Sequence, residues 1–471
     1  MHPLTKVLCF YGIFSVSGQY YEFPDVLIEP LSPKGLRVSI PDEDGIQLFA
    51  FHGKINSPMN GREAGIFSED IRGAENGRWT FFAKNARLKP GDKLYYWIHV
   101  RYDGSGYEKD GEPFTVSELI AGDGSVSSTT TTTTSTTTTR PLCVRGETKL
   151  NGKTACKGML IFHETFSRLD KTKWKPEVKF PQVPDFEFVI YDDDSKVLYT
   201  EGEALHIRPQ LTEDVYGRDS INRELDLNTR CTGLLQSPEC IQTPKGWHIL
   251  SPVTSAQIST VESFSFVYGA IEVKAKLPKG DWLYPEISLV PKSDAYGPGY
   301  DSGRIRIALA YGNQELDNEL YAGGVLGDSD AARNYALKKI FSYSHWTDAY
   351  HVYRVEWRPD SIVVKVDGVA FGTVYPPAGG FAIDHNIIQV DPAVADRWRK
   401  GTVLAPFDQE MYIVLGVGVG GLGFPESMTN KPWESDHPKA PLQFYRNQST
   451  WKQTWGDSSV LEVDYVKVWA L

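Results

Sequence analysis

Tyr268-Gly-Ala-Ile-Glu-Val-Lys-Ala-Lys276 alternates apolar and charged side chains, the period of a β-strand with one dry face and one wet face. Tyr350-His-Val-Tyr-Arg-Val-Glu-Trp357, Ser361-Ile-Val-Val-Lys-Val-Asp367, Met411-Tyr-Ile-Val-Leu-Gly-Val-Gly-Val419 and Leu461-Glu-Val-Asp-Tyr-Val-Lys-Val-Trp469 are strand-like in the same way. No amphipathic segment of helix length competes with them. A domain built from such runs is expected to be a two-sheet sandwich whose curved face offers a long groove to a polymer.

Upstream, short β-rich runs alternate with turn signals. Gly35-Leu-Arg-Val-Ser-Ile40 leads through Pro41-Asp-Glu-Asp-Gly45 to Ile46-Gln-Leu-Phe-Ala-Phe51, and Arg78-Trp-Thr-Phe-Phe82 and Lys93-Leu-Tyr-Tyr-Trp-Ile-His-Val100 follow. About 100 residues of this kind predict an immunoglobulin-like β-sandwich. Between the two pieces, residues 129–139 are Thr except for Ser135, after a Gly/Ser-rich run from Gly122 to Ser128 and before Arg140-Pro141. Such a stretch buries too little apolar area to offset its ordering entropy, so it reads as an extended linker suited to O-glycosylation. The expected organisation is a first domain at 19–121, a linker at 122–142 and a second domain at 143–471, all-β throughout.

Residues 1–18 form a short charged region, an apolar stretch from Val7 to Val16 and a small-residue site at Ser17-Gly18, the pattern of a secretory signal peptide. No later segment approaches the roughly 20 apolar residues of a membrane span, and a soluble extracellular product is expected. The 471 residues are 41% apolar and carry a formal net charge of -11. That charge argues against nucleic acid, whose binders depend on clustered Lys and Arg. A neutral polysaccharide raises no such conflict, and 12 Trp, 24 Tyr and 22 Phe supply flat faces of the sort that stack on sugar rings. Beyond Cys9, four cysteines remain: Cys143, Cys156, Cys231 and Cys240. An even number in an oxidising compartment suggests two disulfides with three possible connectivities, and pairing of neighbours is the expectation. The spacings lack the elements of a zinc site, and no cofactor is implied. Asn447-Gln448-Ser449 is an N-glycosylation acceptor sequence.

The second piece resembles glycoside hydrolase family 16, a family of jelly-roll β-glucanases with a concanavalin-like sandwich. The resemblance is carried by Phe266-Val-Tyr-Gly269, Ile271-Glu-Val-Lys-Ala-Lys276, Trp282-Leu-Tyr-Pro-Glu-Ile287, Val355-Glu-Trp-Arg-Pro-Asp360, Gly420-Gly421 and Val463-Asp-Tyr-Val-Lys-Val468. The family's catalytic strand reads Glu-hydrophobic-Asp-hydrophobic-x-Glu: a nucleophile, an assisting Asp and an acid/base. A retaining mechanism holds nucleophile and acid about 5–5.5 Å apart. Here the matching strand is Ser302-Gly-Arg-Ile-Arg-Ile-Ala-Leu-Ala-Tyr-Gly-Asn313. The resemblance places Arg304 at the nucleophile, Arg306 at the assisting position and Leu309 at the acid. A guanidinium stays protonated and opposes oxocarbenium charge, so the chemical step has neither nucleophile nor acid. Two other acidic features compete. Glu315-Leu-Asp317-Asn-Glu319 mimics the spacing just downstream and reads as a solvated charge run; Glu286 stands where the family has a small residue. The groove departs further: Ser288 replaces a stacking Trp and Gly416 an Asn, while Trp282 and Tyr284 are either core or a sugar platform.

The first piece resembles carbohydrate-binding module family 39, through Pro33-Lys-Gly-Leu-Arg-Val-Ser-Ile-Pro41, Leu48-Phe-Ala-Phe-His-Gly-Lys54, Glu63-Ala-Gly65, Gly77-Arg-Trp-Thr-Phe81 and Gly91-Asp-Lys-Leu-Tyr95. This layout resembles the β-1,3-glucan-recognition family of invertebrate innate immunity. The resemblance implies a pattern-recognition receptor of the haemolymph that binds β-1,3-glucan and other microbial wall polymers and feeds immune serine proteases of the prophenoloxidase and Toll cascades. It favours Asp42, Asp44, Phe67, Arg78, Trp79 and Asp92 as sugar contacts. The bland reading of the polar members is turn or surface charge, and that of Phe67 and Trp79 is core. The rival functions are an active endo-β-1,3-glucanase and a matrix or storage protein without a glycan role.

Overall fold

The structure, a computed structural model, describes residues 23–24, 26–43, 45–74, 77–102, 104–111, 113–116, 119–121 and 144–471. The expected signal peptide, the expected linker, Asp44 and Cys143 lie outside the described residues. The chain divides into two compact units, 1–137 and 138–471, and both are built from β-sheet as their period-two patterning predicts.

In the first unit, strands Leu27–Ser32, Leu36–Pro41 and Arg78–Ala83 form one sheet, with Ile120–Ala121 on its edge. Strands Phe67–Ile71, Ile46–Ile55, Lys93–Tyr102 and Ser105–Asp110 form the other. Alternate residues meet between them: Leu36, Val38 and Ile40 from one sheet, Phe49, Phe51, Ile98 and Val100 from the other, all buried. Phe51 and Phe81 pack with ring centroids 4.8 Å apart.

The second unit is a larger sandwich. Its outer sheet runs through Ala204–Ile207, Leu461–Trp469, Gly269–Lys276, His351–Trp357 and Ile362–Val366. Ile271, Val273 and Ala275 are buried. Glu272 and Lys274 lie on the opposite face and pair there with Arg354 at 3.2 Å and Asp464 at 2.8 Å. The second sheet carries Met411–Val419, Leu283–Pro291, Arg304–Leu309, Glu319–Val325 and Ala336–Phe341 in spatial order. Residues 283–289 are buried on both faces of this sheet. One face holds Leu283, Ile287 and Leu289 against the core. The other face is the trough floor, set with Tyr284, Glu286 and Ser288. Among the described residues no α-helix exceeds seven residues, and none is long and apolar enough to cross a membrane.

Candidate functional site

Arg304 and Arg306 alternate with Ile305 and Ile307. The isoleucines enter the core, so the two guanidiniums stand on the trough face. A register shift lies between Arg306 and Leu309, and this irregularity brings Leu309 to the same small cleft as Arg306 and Tyr284. The three positions singled out by the sequence therefore converge, and none of them is an acid.

Glu286, on the neighbouring strand, is the hub. Its carboxylate is fully buried and accepts from Arg304 Nη1 at 3.0 Å and Arg306 Nη1 at 3.1 Å. Arg306 Nη2 donates to the Tyr300 hydroxyl at 3.3 Å, and Tyr300 donates to Asp185 Oδ2 at 2.5 Å. Arg333 Nη1 pairs with Asp185 Oδ1. Arg333 reaches the network from a short helix, Asp330–Asn334, capped by Ser329, whose Oγ accepts from the Ala332 amide at 3.1 Å. The Arg304 and Arg333 guanidiniums each lie 5.1 Å from the centre of the Tyr300 ring.

Buried charges persist only when paired and hydrogen-bonded, and this network meets that condition. Burial by itself would raise Asp185, but Arg333, Arg306 and Arg304 outweigh it and hold the carboxyl below its ordinary value. Against the penalty of burial, Glu286 and the neighbouring acids and phenols keep Arg304 and Arg306 firmly protonated. Glu187 is the exception: burial, then repulsion from Asp185, pushes its carboxyl up to about 7. It accepts from the Tyr191 hydroxyl at 3.2 Å.

The floor is sealed as well as neutralised. Tyr284, Glu286, Ser288, Tyr300 and Asp185 are each no more than 2% exposed. A Cβ added at Gly418, which pairs with Tyr284, would sit 2.3 Å from that ring, so glycine there lets the phenol lie across the floor. Beside Arg306 and Leu309 lies a cleft of about 50 Å³, and a hollow of about 210 Å³ runs from Leu309 past Tyr311 and Tyr321; both fall below the ~300–1,000 Å³ of ordinary ligand sites. Trp282 packs at 5.0 Å on Trp433 and 5.4 Å on Phe424; it and Tyr284 are core. None of the three carboxylates of the acidic run at 315–319 lines the hollows beside Arg306 and Leu309. The expectation of a solvated run needs one correction, because Asp317 is fully buried. It pairs with His345 and accepts from Thr347 Oγ1 at 2.8 Å, which anchors the turn. Glu319 pairs with Lys339 at 2.9 Å.

In the first unit the candidate sugar contacts are not brought to one place. Asp42, Arg78 and Trp79 cluster where Pro41 pairs with Arg78. Trp79 is buried and its indole N–H donates to Asp42 Oδ1 at 2.7 Å; Arg78 Nε donates to Ser39 Oγ at 2.8 Å. Asp92 lies near Asn56, past the far end of the Ile46–Ile55 strand, buried and accepting from Asn56 Nδ2 at 2.9 Å and the Lys89 amide at 3.0 Å. Those bonds fix a turn. Phe67 is half-buried, edge-on to Phe81 at 6.1 Å. Sequence reasoning missed the cluster in which Arg62 lies 5.3 Å from the ring of the buried Trp97, itself stacked on His52 at 4.0 Å.

Cys231 and Cys240 form a disulfide. Cys156 is disulfide-bonded too. Asn447 is exposed between two short helices, its Nδ2 donating to the Gln443 carbonyl at 2.8 Å. No cluster of metal-ligating side chains occurs among the described residues.

Comparison with known proteins agrees with the two-part architecture. The CBM39 model, a carbohydrate binding domain (family 32), matches residues 22–140, and the model of glycosyl hydrolases family 16 matches residues 241–391. The chain is 48% identical over 479 residues to a β-1,3-glucan-binding protein of Tenebrio molitor, covering 99% of both chains. It is 40% identical to β-1,3-glucan-binding protein 1 of Manduca sexta, over 96% of each. It is 36% identical to Gram-negative bacteria-binding protein 3 of Drosophila melanogaster, over 98% of each. Similarity at this level over nearly the whole length makes the chain a member of the family of β-1,3-glucan-binding and Gram-negative bacteria-binding proteins.

Proposed function

We propose that this chain is a secreted pattern-recognition protein that binds β-1,3-glucan of microbial walls through its first unit and does not cleave it. The observation that carries the second half is the trough floor: Arg304 and Arg306 stand on either side of a buried Glu286 that both neutralise. A glycosidase needs one carboxylate free to attack or stabilise and another poised to give a proton. Asp185 has both oxygens engaged by Arg333 and Tyr300, which leaves Glu187 without a partner acid. Family membership supports the first half, with Asp42, Asp44 and Arg78 as the contacts we favour. Weak contacts repeated along one polymer gain by avidity. Secretion agrees with a disulfide-bonded chain, and binding would pass to serine proteases of the immune cascades. Pelleting with insoluble curdlan tests the reading. The protein should co-sediment, and Arg78→Ala with Asp42→Ala should reduce the bound fraction; failure of the unaltered protein to sediment would overturn it.

A further inference from the structure

A cavity of about 450 Å³ opens beside the sealed floor, where Phe186, Glu187, Gly421 and Leu422 meet the segment around His248 and the stretch 433–441. Its size lies within the range of sites that enclose a small ligand.

Three features describe what it would hold. No Lys or Arg lines it, so an anionic ligand would find no counter-charge. Its polar groups are amide, imidazole, hydroxyl and carboxylate, among them Gln182, Gln242, His248, Ser251, Glu187 and Asp436, a mixture of donors and acceptors that suits hydroxyls. Neither the His248 ring nor the Asp436 carboxylate has a hydrogen bond to another described residue. Apolar faces complete it: Phe186, which is 45% exposed, and Phe188 both line the cavity. Trp433, only 3% exposed, adds ring surface to the lining.

We infer that this cavity is a binding site for a short neutral oligosaccharide, distinct from the plugged floor and from the first unit. The protein would then hold glycan at two places on one chain, and joint engagement of one wall fragment would exceed either affinity alone. The inference takes only its choice of probe from the glucan-binding reading.

The test uses the full chain, titrated with laminaritriose by isothermal calorimetry and saturation-transfer NMR. His248→Ala with Asp436→Ala should weaken binding at least about tenfold, the loss of two hydrogen bonds. Gln242→Trp, which fills the cavity, should abolish the binding event assigned to it and leave in place any laminaritriose held by the first unit. Circular dichroism melts matching the unaltered protein establish that the variants fold, and the double truncation serves if the larger tryptophan disturbs packing. Unchanged affinity in the truncation variant, or no binding of laminaritriose by the unaltered chain, overturns the inference. An acidic trimer, trigalacturonate, should bind at least about tenfold more weakly; equal or tighter binding overturns the ligand class. Curdlan pelleting of the same variants separates the two claims: retained sedimentation with lost trisaccharide binding locates the defect in the cavity.

Discussion

Glu286→Gln removes one negative charge from beneath two guanidiniums while preserving shape. The carboxylate is 0% exposed and makes two charge-assisted bonds, at 3.0 and 3.1 Å. With it gone, Arg306 keeps the Tyr300 hydroxyl and a single carboxylate, Asp185, at 4.0 Å, and Arg304 loses the acid it is paired with. Breaking a buried ion pair by removing one partner costs about 3–5 kcal/mol, a large share of the ~5–15 kcal/mol that holds a domain together. Urea unfolding followed by tryptophan fluorescence should show the midpoint of the second unit falling at unchanged slope. A companion variant sharpens the reasoning. Replacing Arg304, Arg306 and Glu286 together by Met, Leu and Leu removes the desolvated charges along with their partners, and should recover most or all of the lost stability. A loss below about 1 kcal/mol for Glu286→Gln, or a triple variant as unstable as the single one, would refute a charge network that depends on mutual neutralisation.

Glu187→Gln is expected to act through pH. A carboxyl held near 7 in the folded chain but ionising at its ordinary, lower value when unfolded makes stability fall as pH rises between those two values. The variant should therefore match the unaltered protein in acid and melt higher at pH 8, by an amount corresponding to at most about 3.5 kcal/mol at 1.36 kcal/mol per pKa unit; equal melting at pH 8 would contradict it. Asp317→Ala strands His345 and Thr347 and should lower the melting temperature of the second unit by an amount corresponding to about 1–3 kcal/mol, with curdlan sedimentation unchanged. Replacing Cys231 and Cys240 by Ser opens a loop of sequence separation 9 and should cost about 2–3 kcal/mol in the chain-entropy account, read by calorimetry. Asp92→Ala should destabilise the first unit through its turn, whereas Arg78→Ala should weaken curdlan binding at unchanged melting temperature; the reverse pattern would reassign the two residues.

The sandwich architecture was legible because burial on one face imposes a period of two, and Gly269–Lys276 and Leu461–Trp469 display it openly. That Arg304 and Arg306 share a face without an acid between them was legible for a related reason, since Ile305 and Ile307 fix the alternation. The counter-charges were not. Asp185, Tyr300 and Arg333 come from a loop, a short 3₁₀ turn and a five-residue helix, none of which carries a periodic signal. One clue was present: two arginines on a buried strand require acids nearby, and Glu286 was the acid on a neighbouring strand. Asp317 misled for the opposite reason. Its charged neighbours suggested solvent, but a single buried carboxylate with two donors is invisible to composition. In the first unit, one-dimensional matching grouped Asp42, Arg78 and Asp92, although the ten-residue strand Ile46–Ile55 separates the two ends of the sandwich.

The claim on which the rest depends is that the trough holds a sealed, neutralised ion network in place of a catalytic pair. Incubating purified full-length protein with laminarin and measuring new reducing ends against a buffer blank tests it most directly. The account predicts none above the blank. New reducing ends that vanish in Glu187→Gln would contradict it, since they would show an acid in that trough free to donate its proton.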